Sequence, residues 1–155
     1  MKNFNEELSE GTAEFIRFRG LSAAHIKNYV KSHLVEKPKT VIIQAGGNDL
    51  PQGRTTTRDV SVEEIANHLI ETGETCKRYG VTDISIGGVT PRSRLQRQVY
   101  ALNDAIKAKC ERYGFNYINN DNIFISHLYD GVHLNKHGSE LLKCNYLNAL
   151  NGDEI

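Results

Sequence analysis

An aspartate and a histidine stand three residues apart in the stretch Asp130-Gly131-Val132-His133. A turn across the glycine can bring the carboxylate to one imidazole nitrogen, which leaves the other nitrogen to act as a general base. The same stretch can also be a surface turn that precedes the last helix. A third possibility is a metal site built from Asp130, His133 and His137. Zinc usually takes three or four protein ligands in fixed geometry, and no second cluster of His or Cys completes such a set.

A second polar loop, Gly46-Gly47-Asn48-Asp49, follows the β-branched run Thr40-Val41-Ile42-Ile43. Two glycines allow the backbone to turn sharply, and the Asn48 amide could donate a hydrogen bond into a crevice. The structural alternative is an Asn-Asp turn that only caps the next element.

Five arginines could flank the same crevice. Arg54 and Arg58 lie in the loop that continues from Asp49, and Arg92, Arg94 and Arg97 lie near the start of the helix predicted at 95–113. They could favour an anionic substrate or a polynucleotide, and the alternative for the last three is a solvated helix start. Lys+Arg and Asp+Glu each number 19, so the formal net charge is zero. A protein whose main task is to bind nucleic acid through phosphates usually carries a basic excess, so nucleic acid is not the expected partner.

The chain of 155 residues fits one domain, which we place at residues 1–155, and it alternates strand-like with helix-like segments. Strands are predicted at 13–18, 40–45, 82–86 and 115–118. Helices are predicted at 21–34, from the capping box Ser61-Val62-Glu63-Glu64 to Gly80, at 95–113 and at 138–150, with 122–127 left unassigned. This alternation predicts an α/β fold with a parallel sheet, whose functional loops follow the carboxyl ends of the strands.

The three cysteines fall at a regular interval. Cys76-Lys77-Arg78-Tyr79-Gly80 recurs as Cys110-Glu111-Arg112-Tyr113-Gly114, and Cys144 follows at the same spacing. We interpret the repeat as equivalent helix ends on one sheet rather than a helical-repeat array, with the cysteines as small buried residues. Their odd number without metal-type spacing indicates reduced thiols. No signal-peptide core or membrane-length apolar run is present, so a cytoplasmic location is expected.

The order of these loops resembles the SGNH (GDSL-like) hydrolase superfamily of esterases, lipases and acetyl-ester hydrolases. Gly20 resembles the glycine whose backbone amide helps to form the oxyanion hole. Gly47-Asn48-Asp49 resembles the block whose asparagine side chain donates to the same oxyanion. Asp130-Gly131-Val132-His133 resembles the Asp-x-x-His block, with His133 as base and Asp130 as its orienter, and residues 86–92 resemble the strand-to-loop segment before the penultimate helix. The resemblance implies a three-layer α/β/α, flavodoxin-like fold and hydrolysis of small esters with short acyl groups, without cofactor or metal.

One block of that family is missing from the 155 residues. No Gly-Asp-Ser supplies a nucleophile, and Gly152-Asp153-Glu154 lacks the serine. Ser9 and Ser22 are the nearest hydroxyls, but neither sits on a predicted strand-to-helix elbow. We therefore expect the first strand to be absent and the chain to be inactive or crippled as an esterase. The alternatives are a non-catalytic binding module for a ligand, protein or RNA, and an incomplete sheet that another chain completes by strand addition.

Overall fold

The computed structural model describes residues 22–50 and 61–151. Within these residues a three-stranded sheet and four α-helices follow one another in the order α1 (Ala23–Leu34), β1 (Thr40–Ile43), α2 (Val62–Arg78), β2 (Asp83–Gly87), α3 (Gln96–Tyr113), β3 (Asn116–Ile118) and α4 (Lys136–Leu150). Single-turn 3-10 helices, Gly47–Asp49 and Ile125–His127, lie in the loops after β1 and β3. The predicted strand at 13–18 lies outside the described residues.

The strands are parallel and lie in the order β1-β2-β3. Val41 pairs with Ile84 in the first ladder, and Ile86 pairs with Tyr117 in the second. The predicted α/β class with a parallel sheet is therefore confirmed. Because all three strands run the same way, the loops that follow them emerge at one edge of the sheet.

Alternation along the strands divides the core between the two faces of the sheet. Ile43 and Ile86 belong to a large core formed with α1, α2 and α3, whereas Ile42 and Ile118 contact a smaller core formed with α4. Successive side chains of a strand point to opposite faces, so neighbouring residues such as Ile42 and Ile43 serve different cores. The result is the three-layer α/β/α arrangement that the family resemblance implies.

Side-chain caps and polar contacts set several element boundaries. The Ser61 hydroxyl accepts a hydrogen bond from the Glu64 amide at 3.1 Å, which confirms the predicted start of α2. The side chain of Asn135 accepts from the Gly138 amide at 2.9 Å, so α4 begins at Lys136, two residues before the predicted start. Strand β1 ends at Ile43 rather than at residue 45.

The cysteines do not share one environment. Cys76 and Cys110 are fully buried, as predicted, and burial raises their thiol pKa values to about 11 and about 12. Cys144 is exposed, so the prediction that all three are buried is wrong for this residue. The reason is that α4 packs on the opposite face of the sheet through Leu142 and Tyr146, and Cys144 lies on the outer side of that helix. No helix in the described part of the chain is long and apolar enough to span a bilayer.

Candidate functional site at the carboxyl edge of the sheet

Asp130 and His133 form a hydrogen-bonded pair in the loop between β3 and α4. The imidazole Nδ1 lies 2.5 Å from Asp130 Oδ2, and Asp130 Oδ1 accepts from the backbone amides of Val132 at 2.9 Å and His133 at 2.6 Å. The carboxylate therefore selects the tautomer with the proton on Nδ1 and leaves Nε2 as the basic nitrogen. The His133 side chain is 66% exposed, so Nε2 is open to a reactant.

The hydrogen bonds of this turn also set the charge of its carboxylate. The His133 backbone amide, followed by the His133 side chain, holds the pKa of Asp130 at about 2, well below its ordinary value of 3.8. Hydrogen bonds to the ionised form favour that form. Asp130 therefore remains a carboxylate at neutral pH and orients the imidazole as an anion.

The loop that carries the pair is closed on itself. The Tyr129 amide donates to the His133 carbonyl at 3.0 Å, and Leu128 forms an antiparallel bridge with Leu134. The Tyr129 ring stacks on the imidazole of His133 with ring centroids 5.8 Å apart. These contacts restrict the orientation of the imidazole from a second side, and sequence inspection did not single out Tyr129.

Asn48 stands in the single helical turn after β1 and is exposed. Its Oδ1 accepts a hydrogen bond from Nη2 of Arg92 at 3.3 Å. The neighbouring Asp49 carboxylate accepts from the Ala23 amide, with Oδ2 at 3.0 Å, and so binds the first turn of α1. Burial, the largest influence, raises the pKa of Asp49, against the opposing effect of that amide. Asp49 therefore caps α1, whereas the Asn48 side chain is exposed.

Arg92 follows β2 and lies between the two loops. Its guanidinium packs so closely on Gly47 that an added Cβ there would lie 2.6 Å from Nη2. Burial lowers the pKa of Arg92, and the nearby Asp130 carboxylate opposes that shift. The expectation of a solvated helix start is therefore wrong for Arg92, whereas Arg94 and Arg97 are exposed as that expectation requires.

The same segment is bonded directly to the loop of the Asp130–His133 pair. The Ser93 amide donates to the Gly131 carbonyl at 3.0 Å. Gly131 has φ +83°, a conformation that favours glycine, and a Cβ at this position would also displace the Ser93 hydroxyl, which lies 2.6 Å from it. Asn48, Arg92 and the Asp130–His133 pair are therefore brought together at one edge of the sheet from the loops after β1, β2 and β3.

A buried polar network lies beneath these loops. Asn120 and Gln44 donate to the Gly88 carbonyl at 2.7 and 2.9 Å, and Asn145 donates to Asn120 Oδ1 at 2.9 Å. The Tyr146 hydroxyl donates to Gln44 Oε1 at 2.8 Å. The network joins the ends of all three strands to α4 and so holds the floor of the site.

An open groove of about 480 Å³ adjoins this edge, between the start of α3 and the loop after β3. Its wall includes Pro91, which immediately precedes Arg92, and the exposed rings of Tyr100 and Phe124. Gln96 connects groove and site, since its side chain accepts from the Arg92 amide at 3.3 Å and lies 3.5 Å from the Tyr100 hydroxyl. The groove is therefore a candidate for the part of a ligand that extends away from His133.

Other residues named from the sequence lie elsewhere. The ring of His137 stacks on His127 at 5.0 Å, and no group of three or more His, Cys, Asp or Glu in the described ranges has an arrangement that could hold a metal ion. Ser22 precedes α1, and its hydroxyl lies 2.7 Å from Nδ1 of His25. Besides the predicted strand at 13–18, other positions named from the sequence fall outside the described residues: Ser9, Gly20, Arg54, Arg58 and the stretch 152–154.

The profile of the GDSL-like lipase/acylhydrolase family matches residues 4–141 of the chain. Among solved structures, an acetyl xylan esterase is similar with a TM-score of 0.79 at 11% identity, covering 96% of this chain and 89% of that one. A member of the lipolytic G-D-S-L family from Veillonella parvula gives 0.73 at 18% identity, covering 97% and 86%.

A third structure, a catalytic mutant of an acetylxylan esterase from Geobacillus stearothermophilus, gives 0.71 at 16% identity, covering 84% and 68%. At these identities the similarity concerns the fold. No curated protein matches the sequence significantly.

Proposed function

The chain belongs to the GDSL-like lipase/acylhydrolase family, and on that premise we propose that it carries the general base and an oxyanion donor of an esterase. The observation that supports this most is the Asp130–His133 pair, whose free Nε2 lies at the same sheet edge as the Asn48 amide. In acyl transfer, a base oriented by a carboxylate activates the nucleophile, and a nearby amide donor stabilises the oxyanion.

In the proposed reaction, a serine hydroxyl attacks the ester carbonyl while His133 Nε2 takes its proton. Asn48 Nδ2 and the Gly20 backbone amide donate to the oxyanion that forms. Collapse of that intermediate expels the alcohol, which receives the proton from His133. Water then attacks the acyl-serine with His133 again as base, and the carboxylic acid is released.

The 155 residues contain no Gly-Asp-Ser, so we propose that they turn over esters negligibly by themselves. We do not propose Ser22 as a substitute nucleophile, because its hydroxyl is bonded within its own helical turn, 2.7 Å from Nδ1 of His25. Its exposed partner His25 is not oriented by a hydrogen-bonded carboxylate among the described residues, in contrast to His133.

We propose small esters with short acyl groups, acetyl in particular, as substrates. Two of the structures with a similar fold are described as acetyl xylan or acetylxylan esterases, which supports this choice. We also propose a cytoplasmic location, on the basis of the odd number of cysteines.

The test adds an upstream strand that ends in Gly-Asp-Ser and measures turnover of p-nitrophenyl acetate. We expect activity to appear, His133→Ala to lower kcat by several orders of magnitude, and Asn48→Ala to lower it about 100- to 1,000-fold. Asp130→Ala should cost less than His133→Ala, because the carboxylate orients the base and does not accept the proton. His137→Ala serves as the matched control, since that imidazole stacks on His127 instead.

An extended chain that folds and remains inactive would contradict the esterase proposal. Turnover by the unextended chain would instead contradict the proposal of negligible activity, if a serine-directed phosphonate abolishes it and the label is found on Ser9 or Ser22.

A non-catalytic binding module is the second candidate. The groove beside the site favours it, because the groove offers exposed aromatic side chains whether or not chemistry follows. In that case a second chain that completes the sheet is a further candidate partner. If the extended chain is inactive, the binding-module hypothesis becomes the preferred one.

A further inference from the structure

We propose that Arg92 is a positioning residue that fixes the side-chain amide of Asn48 with its NH2 group toward the reaction centre. The inference rests on the proposed function, which gives that amide the role of oxyanion donor. It adds a residue from a third loop, after β2, to a site assigned to the loops after β1 and β3.

An asparagine side chain can present either of two ends to a reactant. Only the NH2 end stabilises an oxyanion, whereas the carbonyl oxygen would repel it. A guanidinium has five N–H donors and no acceptor, so it can bind only the oxygen end. In the structure Arg92 Nη2 donates to Asn48 Oδ1 at 3.3 Å, and this contact turns Nδ2 away from the arginine.

The Arg92 guanidinium is partly removed from water in this position. Its Nε is buried and has no hydrogen-bond partner among residues 22–50 and 61–151. Burial also disfavours its charge, as the lowered pKa records, although the Asp130 carboxylate opposes that effect. A surface arginine with no task would keep these groups in water, so the contact with Asn48 is maintained against a desolvation cost.

Gly47 provides the space for the guanidinium. An added Cβ would approach Nη2 to 2.6 Å and the central carbon of the guanidinium to 3.2 Å. The obstructing atoms are the far end of a flexible side chain, so an alanine at Gly47 would displace Arg92 while leaving its charge in the protein. This gives a second way to break the contact without touching either partner.

The segment that carries Arg92 is also tied to the loop of the base. Ser93 donates to the Gly131 carbonyl at 3.0 Å, and Gly131 directly follows Asp130 in the chain. One short segment thus holds the amide of Asn48 and contacts the turn that orients His133. The relative position of oxyanion donor and base is thereby fixed through the loop after β2.

The first test uses the 155-residue chain with isotope labelling and measures the NMR order parameter of the Asn48 side-chain NH2 group. We expect a value that approaches that of rigid backbone amides, about 0.85, in the unaltered chain, and a value below about 0.6 in both Arg92→Ala and Gly47→Ala. Arg92→Lys should retain part of the order, because an ammonium can also donate to Oδ1. Arg94→Ala, an exposed arginine two residues away, is the matched control and should change nothing.

Two results would overturn the proposal. One is an Asn48 amide that stays equally ordered in Arg92→Ala and Gly47→Ala. The other is a loss of order in the backbone amides of residues 46–50 to the same extent as in the side chain, since that would mean a purely structural role. Gly47→Ala keeps the proposal testable if Arg92→Ala fails to fold.

The second test uses the chain extended with Gly-Asp-Ser. Arg92→Ala should lower kcat about 10-fold or more with KM unchanged, because the oxyanion forms only after binding. The double variant of Arg92→Ala and Asn48→Ala should be no slower than Asn48→Ala alone, because Arg92 acts through that amide. Additive losses would contradict this. If the extended chain is inactive, the proposed function fails, but the NMR result still decides whether Arg92 orients Asn48.

Discussion

Replacement of Asn145 by alanine should destabilise the fold through one orphaned acceptor in the network under the site. Asn145 is 2% exposed, and its Nδ2 donates to Asn120 Oδ1 and to Asn122 Oδ1, both at 2.9 Å. Asn122 is exposed and can bind water after the change, whereas Asn120 is 3% exposed and cannot. The penalty is therefore that of one buried unsatisfied acceptor, about 1–3 kcal/mol in the free energy of unfolding.

The assay is urea unfolding of the 155-residue chain, together with thermal melting. For a protein of this size 1 kcal/mol corresponds to about 2–4 °C, so the midpoint should fall by about 2–12 °C. Asn148→Ala is the control, because Asn148 lies in the same helix and its side chain takes no part in the hydrogen-bond network. Both variants gain the same helix propensity from alanine, so their difference excludes helix propensity as its cause. Equal unfolding free energies for the two variants would refute the reasoning.

Three further predictions concern other parts of the molecule. The pKa of Asp130 is lowered to about 2, so its contribution to stability is complete above pH 3.8 and is lost as pH falls toward 2. Asp130→Asn should therefore flatten that part of a curve of unfolding free energy against pH. An unchanged curve would contradict the hydrogen bonds described. A thiol reagent at pH 8 should modify Cys144 alone in the folded chain and all three cysteines in denaturant, because burial protects Cys76 and Cys110 and raises their pKa values. Mass spectrometry counts the modified cysteines, and more than one in the folded chain would contradict the described burial. Asn135→Ala should cost about 0.5–2 kcal/mol by removing the cap of α4, which urea unfolding measures, and Asn135→Ser should restore most of it if capping is the cause.

The elements could be predicted because local patterns specify them. The Ser61 cap defines the start of α2, and the β-branched run at residues 40–43 defines a buried strand. The Asp130–His133 pair was predictable for the same reason, since its partners are three residues apart and meet across one turn. The start of α4 was missed because Asn135 looked like a loop residue, although an asparagine three residues before a glycine amide can cap a helix.

Contacts between distant residues could not be predicted in the same way. Arg92 and Asn48 are 44 residues apart, and Tyr146 and Gln44 are 102 apart. Whether such pairs meet depends on the order of the strands and on which face of the sheet each helix covers. Residue type did not help, because a basic side chain before a helix is most often solvated.

Gly47 shows where a signal was present and was given the wrong cause. Two consecutive glycines after a buried strand predict a sharp turn. In the structure Gly46 alone has a positive φ, +112°, while Gly47 lies in an ordinary helical turn. The absence of a side chain at Gly47 instead leaves the space that the Arg92 guanidinium occupies. A glycine that the backbone does not need marks the close approach of another group, and here that group is the side chain that holds Asn48.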